Sequence, residues 1–208
     1  MDKDNELKQK FAIVVQGPSN HVEEIKKAWD GFTIIWSTWI GEESKYNFND
    51  IVIFNEYPQD RGVNNLGLQK ISTIEGIKKA KELGFKHVLK WRSDLIPNNS
   101  NELIKSFKDN HLNFLSWHIE GEYFIDYFLG GGIDDVYEAW NLNTTSGPFP
   151  ERVITDNILD KKFKNFNFIA NELSKDNEVF WPKYNVYLSS YNGLPGSNVD
   201  VVKYKILE

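Results

Sequence analysis

The chain has 208 residues, no cysteine and a formal net charge of −6. Disulfides, thiolate chemistry and cysteine-based zinc sites are thereby excluded, and an acidic chain without a basic run is a poor match for nucleic acid. Apolar residues make up 40% and aromatic residues 14%, enough for a core of its own, and the length fits a single domain over 1–208. Residues 1–10 are a polar lead-in without the apolar centre of a signal peptide. No stretch approaches the ~20 apolar residues that a membrane span needs, so a cytoplasmic protein is expected.

Residues 11–15 form a continuous apolar run, as a strand buried on both faces requires. The run ends in Gln16-Gly17-Pro18-Ser19, where Gly17 permits a sharp turn and Ser19 or Asn20 is placed to cap a helix over 21–30. Val22, Ile25 and Trp29 give that helix its apolar face, and Gly31 ends it. Residues 33–39 read as a second strand that turns from apolar to hydroxyl-bearing at Ser37-Thr38. Residues 50–55 read as a third, ending at Asn55. A polar loop over 56–65 carries Arg61, Gly62 and Asn65. The longest predicted helix, 66–84, has Leu68, Ile71, Ile74, Ile77, Ala80 and Leu83 at every third position, a spacing that drifts around the helix and makes a broad face. Residues 87–94, His-Val-Leu-Lys-Trp-Arg-Ser-Asp, begin as an apolar strand and end in charge, with Pro97 soon after.

A short helix over 101–110 and a fifth strand over 113–117 complete a strand–helix alternation that argues for a mainly parallel sheet with right-handed crossovers. Beyond His118 the pattern changes. Residues 120–129 are aromatic-rich, and Gly130-Gly131-Gly132 offers either a bare-backbone cradle for a phosphate or sugar, or a hinge or tight turn. Helices are expected over 133–140 and 151–162, separated by a loop rich in Asn, Thr, Gly and Pro. From residue 163 onward the chain reads as aromatic-rich strands and loops without periodicity.

Four predicted strands end in polar residues: Gln16-Gly17-Pro18, Ser37-Thr38, Asn55 and Arg92-Ser93-Asp94. In open α/β sheets, ligands bind just outside the carboxyl ends of the strands. A nucleotide there needs backbone approach at a glycine, hydroxyl or amide partners, and positive charge for its phosphates. Arg92 has the planar fork that pairs with phosphate oxygens, and Asp94 is placed to hold a metal ion. Gly-x-Gly-x-x-Gly and Gly-x-x-x-x-Gly-Lys-Ser/Thr are both missing, as is Gly-x-Ser-x-Gly. The usual dinucleotide oxidoreductase, P-loop phosphotransferase and hydrolase arrangements therefore lose ground. Among the histidines, His21 and His87 read as structural and His118 is a candidate metal ligand. Asp126, Asp134, Asp135, Glu151 and Asp156 are the carboxylates of the second half. The aromatics around Asp126 (Tyr123, Phe124, Tyr127 and Phe128) suit a sugar platform and a core equally.

As a set, Val14-Val15-Gln16-Gly17-Pro18, Ser37-Thr38-Trp39, Val52-Ile53-Phe54-Asn55, Gln69-Lys70-Ile71-Ser72-Thr73 and Leu89-Lys90-Trp91-Arg92-Ser93-Asp94 resemble the WavE family of glycosyltransferases of lipopolysaccharide and related glycan synthesis. The resemblance covers residues 11–95 and continues weakly through Phe124-Ile125-Asp126-Tyr127-Phe128 and Pro150-Glu151. It implies an α/β, GT-A-like fold: a Rossmann-type nucleotide half over 11–95 joined to an acceptor half over 96–208. In such enzymes an Asp-x-Asp motif binds a divalent metal and the donor diphosphate. Here the triplet is Arg92-Ser93-Asp94, so only Asp94 carries over as a ligand for Mn²⁺ or Mg²⁺, and Arg92 is left to contact phosphate or ribose. The arginine that such sequences carry before Gln69 is Leu68.

The expectation is a metal-assisted glycosyltransferase that moves a sugar from a nucleotide-sugar donor to a glycan or lipid-linked glycan acceptor. Gln16, Gly17, Pro18, Ser37, Thr38, Asn65, Gln69 and Arg92 are the expected nucleotide contacts. Asp94 and His118 are the expected metal ligands. For an inverting reaction, Asp126 and then Glu151 are the expected general bases. Two alternatives stay open: a catalytically inactive sugar- or nucleotide-binding module, and a sugar-phosphate nucleotidyltransferase.

Overall fold

The computed structural model describes residues 3–19, 21–97, 100–118, 122–161 and 163–168. In chain order the helices are α1 (Lys3–Lys10), α2 (Val22–Ala28), α3 (Leu66–Glu82), α4 (Ser100–Lys105), α5 (Ile133–Trp140) and α6 (Pro150–Asp160). The strands are β1 (Phe11–Gln16), β2 (Thr33–Trp39), β3 (Ile51–Asn55), β4 (His87–Arg92), β5 (Leu112–His118), β6 (Glu122–Gly132) and β7 (Phe166–Phe168). They build one seven-stranded sheet in the order β3-β2-β1-β4-β6-β5-β7. β1 runs parallel to β2 and β4, β2 to β3, and β5 to β7, while β6 is antiparallel to both of its neighbours. A parallel pairing needs a crossover of roughly a dozen residues or more. Too few residues separate the end of β5 from the start of β6 for that, so β6 turns back.

The apolar run of β1 has a direct cause: all of its residues are buried. Phe11, Ile13 and Val15 join Ile25, Trp29, Leu89, Trp91 and Phe128 in the core on one face of the sheet. Ala12 and Val14 join Ile35, Ile77, Ala80, Val88, Val136, Trp140 and Ile154 in the core on the other. Alternate residues of a strand point to opposite faces, so a strand covered on both sides reads as continuously apolar.

α3 covers the second face with Ile74, Ile77 and Ala80 of the expected set, together with residues that the spacing does not pick out. Its buried positions include Ser72, Thr73 and Gly76 beside Leu66, Ile74, Ile77 and Ala80, whereas Leu83 is 45% exposed. The small residues let the helix lie close to the sheet. A Cβ on Gly76 would stand 2.3 Å from Cγ1 of Val14, a stiff β-branched side chain in a packed core. Gly76→Ala is therefore expected to lower stability by about 1–3 kcal/mol, against the helix propensity of alanine. Urea unfolding measures this, and an unchanged midpoint would refute the tight packing of α3 on β1.

Three expectations change. Residues 3–10 are helical rather than a frayed lead-in. α2 starts after His21 without a side-chain cap; the Ser19 hydroxyl is engaged with Thr38 and Glu42, and Asn20 lies outside the described residues. Gly130-Gly131-Gly132 is neither a cradle nor a turn but the last part of β6, paired with Leu89, Val88 and His87 of β4. Side chains there have no room: a Cβ on Gly130 would lie 2.2 Å from the Phe107 ring, and one on Gly131 would lie 2.7 Å from the carbonyl oxygen of His111. Among the described residues, no helix is long and apolar enough to cross a membrane.

Candidate functional site

Because β1 to β4 all run the same way, their carboxyl ends lie on one edge. In register, Gln16 stands beside Ser37 on one side and Arg92 on the other, and Trp39 stands beside Asn55. From β1 the chain moves outward to β2 and β3 and then crosses back to β4, so the strand order reverses between β1 and β4. Such a switch point opens a crevice for ligands.

The ends of β1 and β4 are tied together there. The Ser93 N–H donates to the Gln16 carbonyl at 2.9 Å, and the Gly17 N–H donates to the Ser37 carbonyl at 3.2 Å. Gly17 has a φ of 117°, and a Cβ on it would stand 2.6 Å from the Ser93 hydroxyl oxygen, so this turn needs glycine. The side-chain carbonyl of Gln16 accepts a hydrogen bond from Ser72 of α3 at 3.0 Å. Asn55 donates to the Ser37 hydroxyl at 3.0 Å and to the Thr38 carbonyl at 2.7 Å. Ser37 and Asn55 thus serve to lock β2 and β3 together, and both are buried.

Beyond that lock lies a polar knot that the sequence did not announce. The Thr38 hydroxyl lies 3.1 Å from that of Ser19 and donates to Glu42. Glu42 also accepts from the Ser19 hydroxyl at 2.8 Å and the Ser19 N–H at 3.1 Å, pairs with Lys45 at 3.0 Å, and neighbours Tyr46 through Ser19. Burial pulls the Glu42 pKa up, but hydrogen bonds from Thr38, Ser19 and Lys45 outweigh it and hold the carboxyl below its ordinary range. Three other expected nucleotide contacts sit apart from this knot. Pro18 is exposed. Asn65 is exposed in a left-handed conformation just before α3. Gln69, in the first turns of α3, has a buried side-chain oxygen without a hydrogen-bond partner.

At the other end of the row, Arg92, Asp94, Asp126 and Glu151 come together although they lie far apart in sequence. Arg92 closes β4, Asp94 follows it in a turn, Asp126 sits in β6, the neighbour of β4, and Glu151 opens α6. One edge of the Arg92 guanidinium grips Asp94, Nε donating to Oδ1 at 2.9 Å and Nη2 to Oδ2. Its Nη1 lies 3.3 Å from both oxygens of Asp126, and the guanidinium carbon sits 5.0 Å from the Tyr127 ring centre. Burial works against the charge of Arg92, but Asp94 and Asp126 outweigh it and hold the guanidinium protonated. Burial likewise opposes ionisation of Asp94, and Arg92 more than offsets this, so its pKa is lowered. The Glu151 carboxyl is pushed up, first by burial and then by the charge of Asp126. α6 is fastened in place by Thr155, whose hydroxyl accepts the Phe124 N–H of β6 at 2.8 Å.

Beneath this group lies Lys90, at 0% exposure. Its ammonium donates to the Asp126 carbonyl and lies 4.5 Å from the Trp140 ring centre. Burial pushes its pKa down to about 7, with the charge of Asp126 working the other way. Lys90 escaped the sequence reading, although a lysine inside Val-Leu-Lys-Trp of a doubly covered strand is itself a signal: such a charge survives only with partners.

His118 closes β5, and β6 stands between that strand and β4; its side chain lies outside the described residues. Among the described residues, no group of three or more His, Asp or Glu side chains is arranged to hold a metal ion. Asp94, the expected ligand, and Asp126 already face a guanidinium, so these residues as arranged do not fit a divalent cation. Compared with protein-family models and with curated proteins, the chain matches none.

Proposed function

We propose that this chain is a glycosyltransferase of GT-A type that takes a sugar from a nucleotide-sugar donor and delivers it to a glycan or lipid-linked glycan hydroxyl. One observation carries the reading: Arg92 and Asp94 at the end of β4 and Asp126 and Glu151 from the second half of the chain form a single charged cluster at the carboxyl edge beside the β1–β4 switch point. The architecture supports it as well. A Rossmann-like set, β3-β2-β1-β4, is extended by β6-β5-β7, in keeping with a nucleotide half joined to an acceptor half.

In the proposed reaction an acceptor hydroxyl oxygen attacks the anomeric carbon of the donor. The bond from that carbon to the phosphate oxygen breaks, and its electron pair leaves with the nucleoside diphosphate. A carboxylate takes the hydroxyl proton, a contribution of typically ~10²–10⁴-fold. Glu151 suits this role better than Asp126. Its raised pKa brings it closer to neutral pH, and it is less deeply covered than Asp126, which is 3% exposed and paired with Arg92. Asp126 then acts as the charge that adds to burial in raising the basicity of Glu151. Arg92 supplies a permanent cation at the edge where negative charge builds on the departing diphosphate.

The test is release of nucleoside diphosphate from a panel of sugar nucleotides, with and without simple sugar acceptors. Release from one donor, lost in an Arg92→Met variant, is the expected result. A donor that binds without release in any condition would favour the inactive binding module, which the mutual pairing of Arg92 with Asp94 and Asp126 also fits. Absence of binding across the panel would overturn the nucleotide site.

A further inference from the structure

We infer that the guanidinium of Arg92 fills, between Asp94 and Asp126, the position a divalent cation would need, and that this carboxylate pair binds no metal while Arg92 is present. For donor binding this rests on the transferase reading; for the carboxylate pair it stands on geometry alone.

The arginine is held from several sides. One edge of the fork takes both oxygens of Asp94, the remaining nitrogen reaches both oxygens of Asp126 at 3.3 Å, and Tyr127 lies against the guanidinium. Its backbone is fixed too. Arg92 pairs in register with Gln16 of β1, its own carbonyl accepts from Leu95 at 3.2 Å, and the next residue, Ser93, donates to Gln16. The side chain is 12% exposed, so swinging away would mean rebuilding the end of β4 around it.

Charge makes the same point. Mg²⁺ and Mn²⁺ seek carboxylate oxygens that are free to turn toward them, and they usually keep several waters and substrate phosphates in their shell. Here the oxygens of both carboxylates already face one guanidinium, with Lys90 immediately beneath, donating to the Asp126 carbonyl. A doubly charged ion entering between them would meet the permanent positive charge of Arg92 at the place it needs. Arginine cannot give up its proton to relieve that repulsion. The guanidinium is thus an ion that comes with the chain. On the transferase reading, the donor diphosphate binds without a metal.

The test uses Mn²⁺ itself, followed by electron paramagnetic resonance. Wild-type protein and Asp94→Asn are expected to leave the Mn²⁺ signal equally unbound. Arg92→Met should expose the two carboxylates and take up a Mn²⁺ ion, and Arg92→Met combined with Asp94→Asn should lose it. Mn²⁺ binding by the wild type that Asp94→Asn removes would overturn the inference, and this comparison holds even if the Arg92 variants fail to fold. In a second arm, UDP and GDP are titrated with Mn²⁺ and with chelator. Equal affinity in both is expected, and a loss of more than about tenfold in chelator would overturn the inference. If neither nucleotide binds in either condition, the transferase reading falls while the Mn²⁺ arm still decides this one.

Discussion

Glu151→Gln should lower sugar transfer by ~10²–10⁴-fold while leaving donor binding in place, the range expected when a general base is removed. Glutamine keeps the shape of the side chain and loses only its ability to take the proton. Asp126→Asn should act differently. Burial and the charge of Asp126 together raise the Glu151 pKa. Removing that charge lowers the pKa of Glu151, so the acid limb of the activity profile, where the base becomes protonated, should move to lower pH. The variant also leaves the buried Arg92 with one carboxylate fewer, and breaking such a pair typically costs about 3–5 kcal/mol. A rate–pH profile of wild type and both variants separates these roles. Full transfer by Glu151→Gln, or an acid limb that stays put in Asp126→Asn, would refute the assignment.

The second large effect is a pH-dependent stability centred on Lys90. Its pKa falls from 10.5 to about 7 on folding. Below the lower value both states carry the proton, and the cost of burying the charge is present in full. Between the two values the unfolded chain binds more protons than the folded one, so stability rises with pH. Above the upper value the contribution is constant. The whole window is worth on the order of a few kcal/mol. Lys90→Met should remove the slope, because methionine fills a similar volume without titrating. The lost hydrogen bond to the Asp126 carbonyl costs the variant a fixed amount, so the quantity to read is the difference between the two proteins. Urea unfolding at about pH 7 and about pH 9.5 should find wild type gaining on the variant. A constant difference would mean that Lys90 stays charged in the fold.

The parallel half was legible because its physics is local. β1 is apolar from Phe11 to Val15 since both faces are covered, and the parallel strands end in polar residues that hydrogen-bond to one another along the carboxyl edge. β6 was not legible. A strand that closes on three glycines carries no side-chain pattern there, and its reason for being a strand, room for Phe107 and for the His111 backbone, exists only once β5 and β6 have met. α3 was legible in part: Ile74, Ile77 and Ala80 are buried as their spacing implies, while closeness to the sheet also buries Ser72, Thr73 and Gly76, which no apolar pattern marks. Within the site, Arg92 and Asp94 could be picked out together as neighbours at a strand end. The Ser19–Thr38–Glu42 knot joins residues from β2 and the loops after β1 and β2, and it forms only when the two strands lie side by side. Lys90 was visible in principle as a charge in the wrong place, and its meaning came from Asp126 and Trp140 across the fold.

The placement of β4 also bears on how the chain is made. β1 pairs with β4 from Phe11↔His87 to Gln16↔Arg92, a non-local contact that rewards the chain late and slows folding. During synthesis the polar rim can assemble once residue 92 has emerged. The far side of β4 then has its N–H and C=O groups unpaired until β6 arrives at Trp91↔Phe128 and beyond. For that interval His-Val-Leu-Lys-Trp-Arg presents an open edge that includes Val88, Leu89 and Trp91, the kind that recruits other chains. Lys90 sits in the middle of it, and a charge on such an edge discourages pairing with a stranger until the right partner covers it.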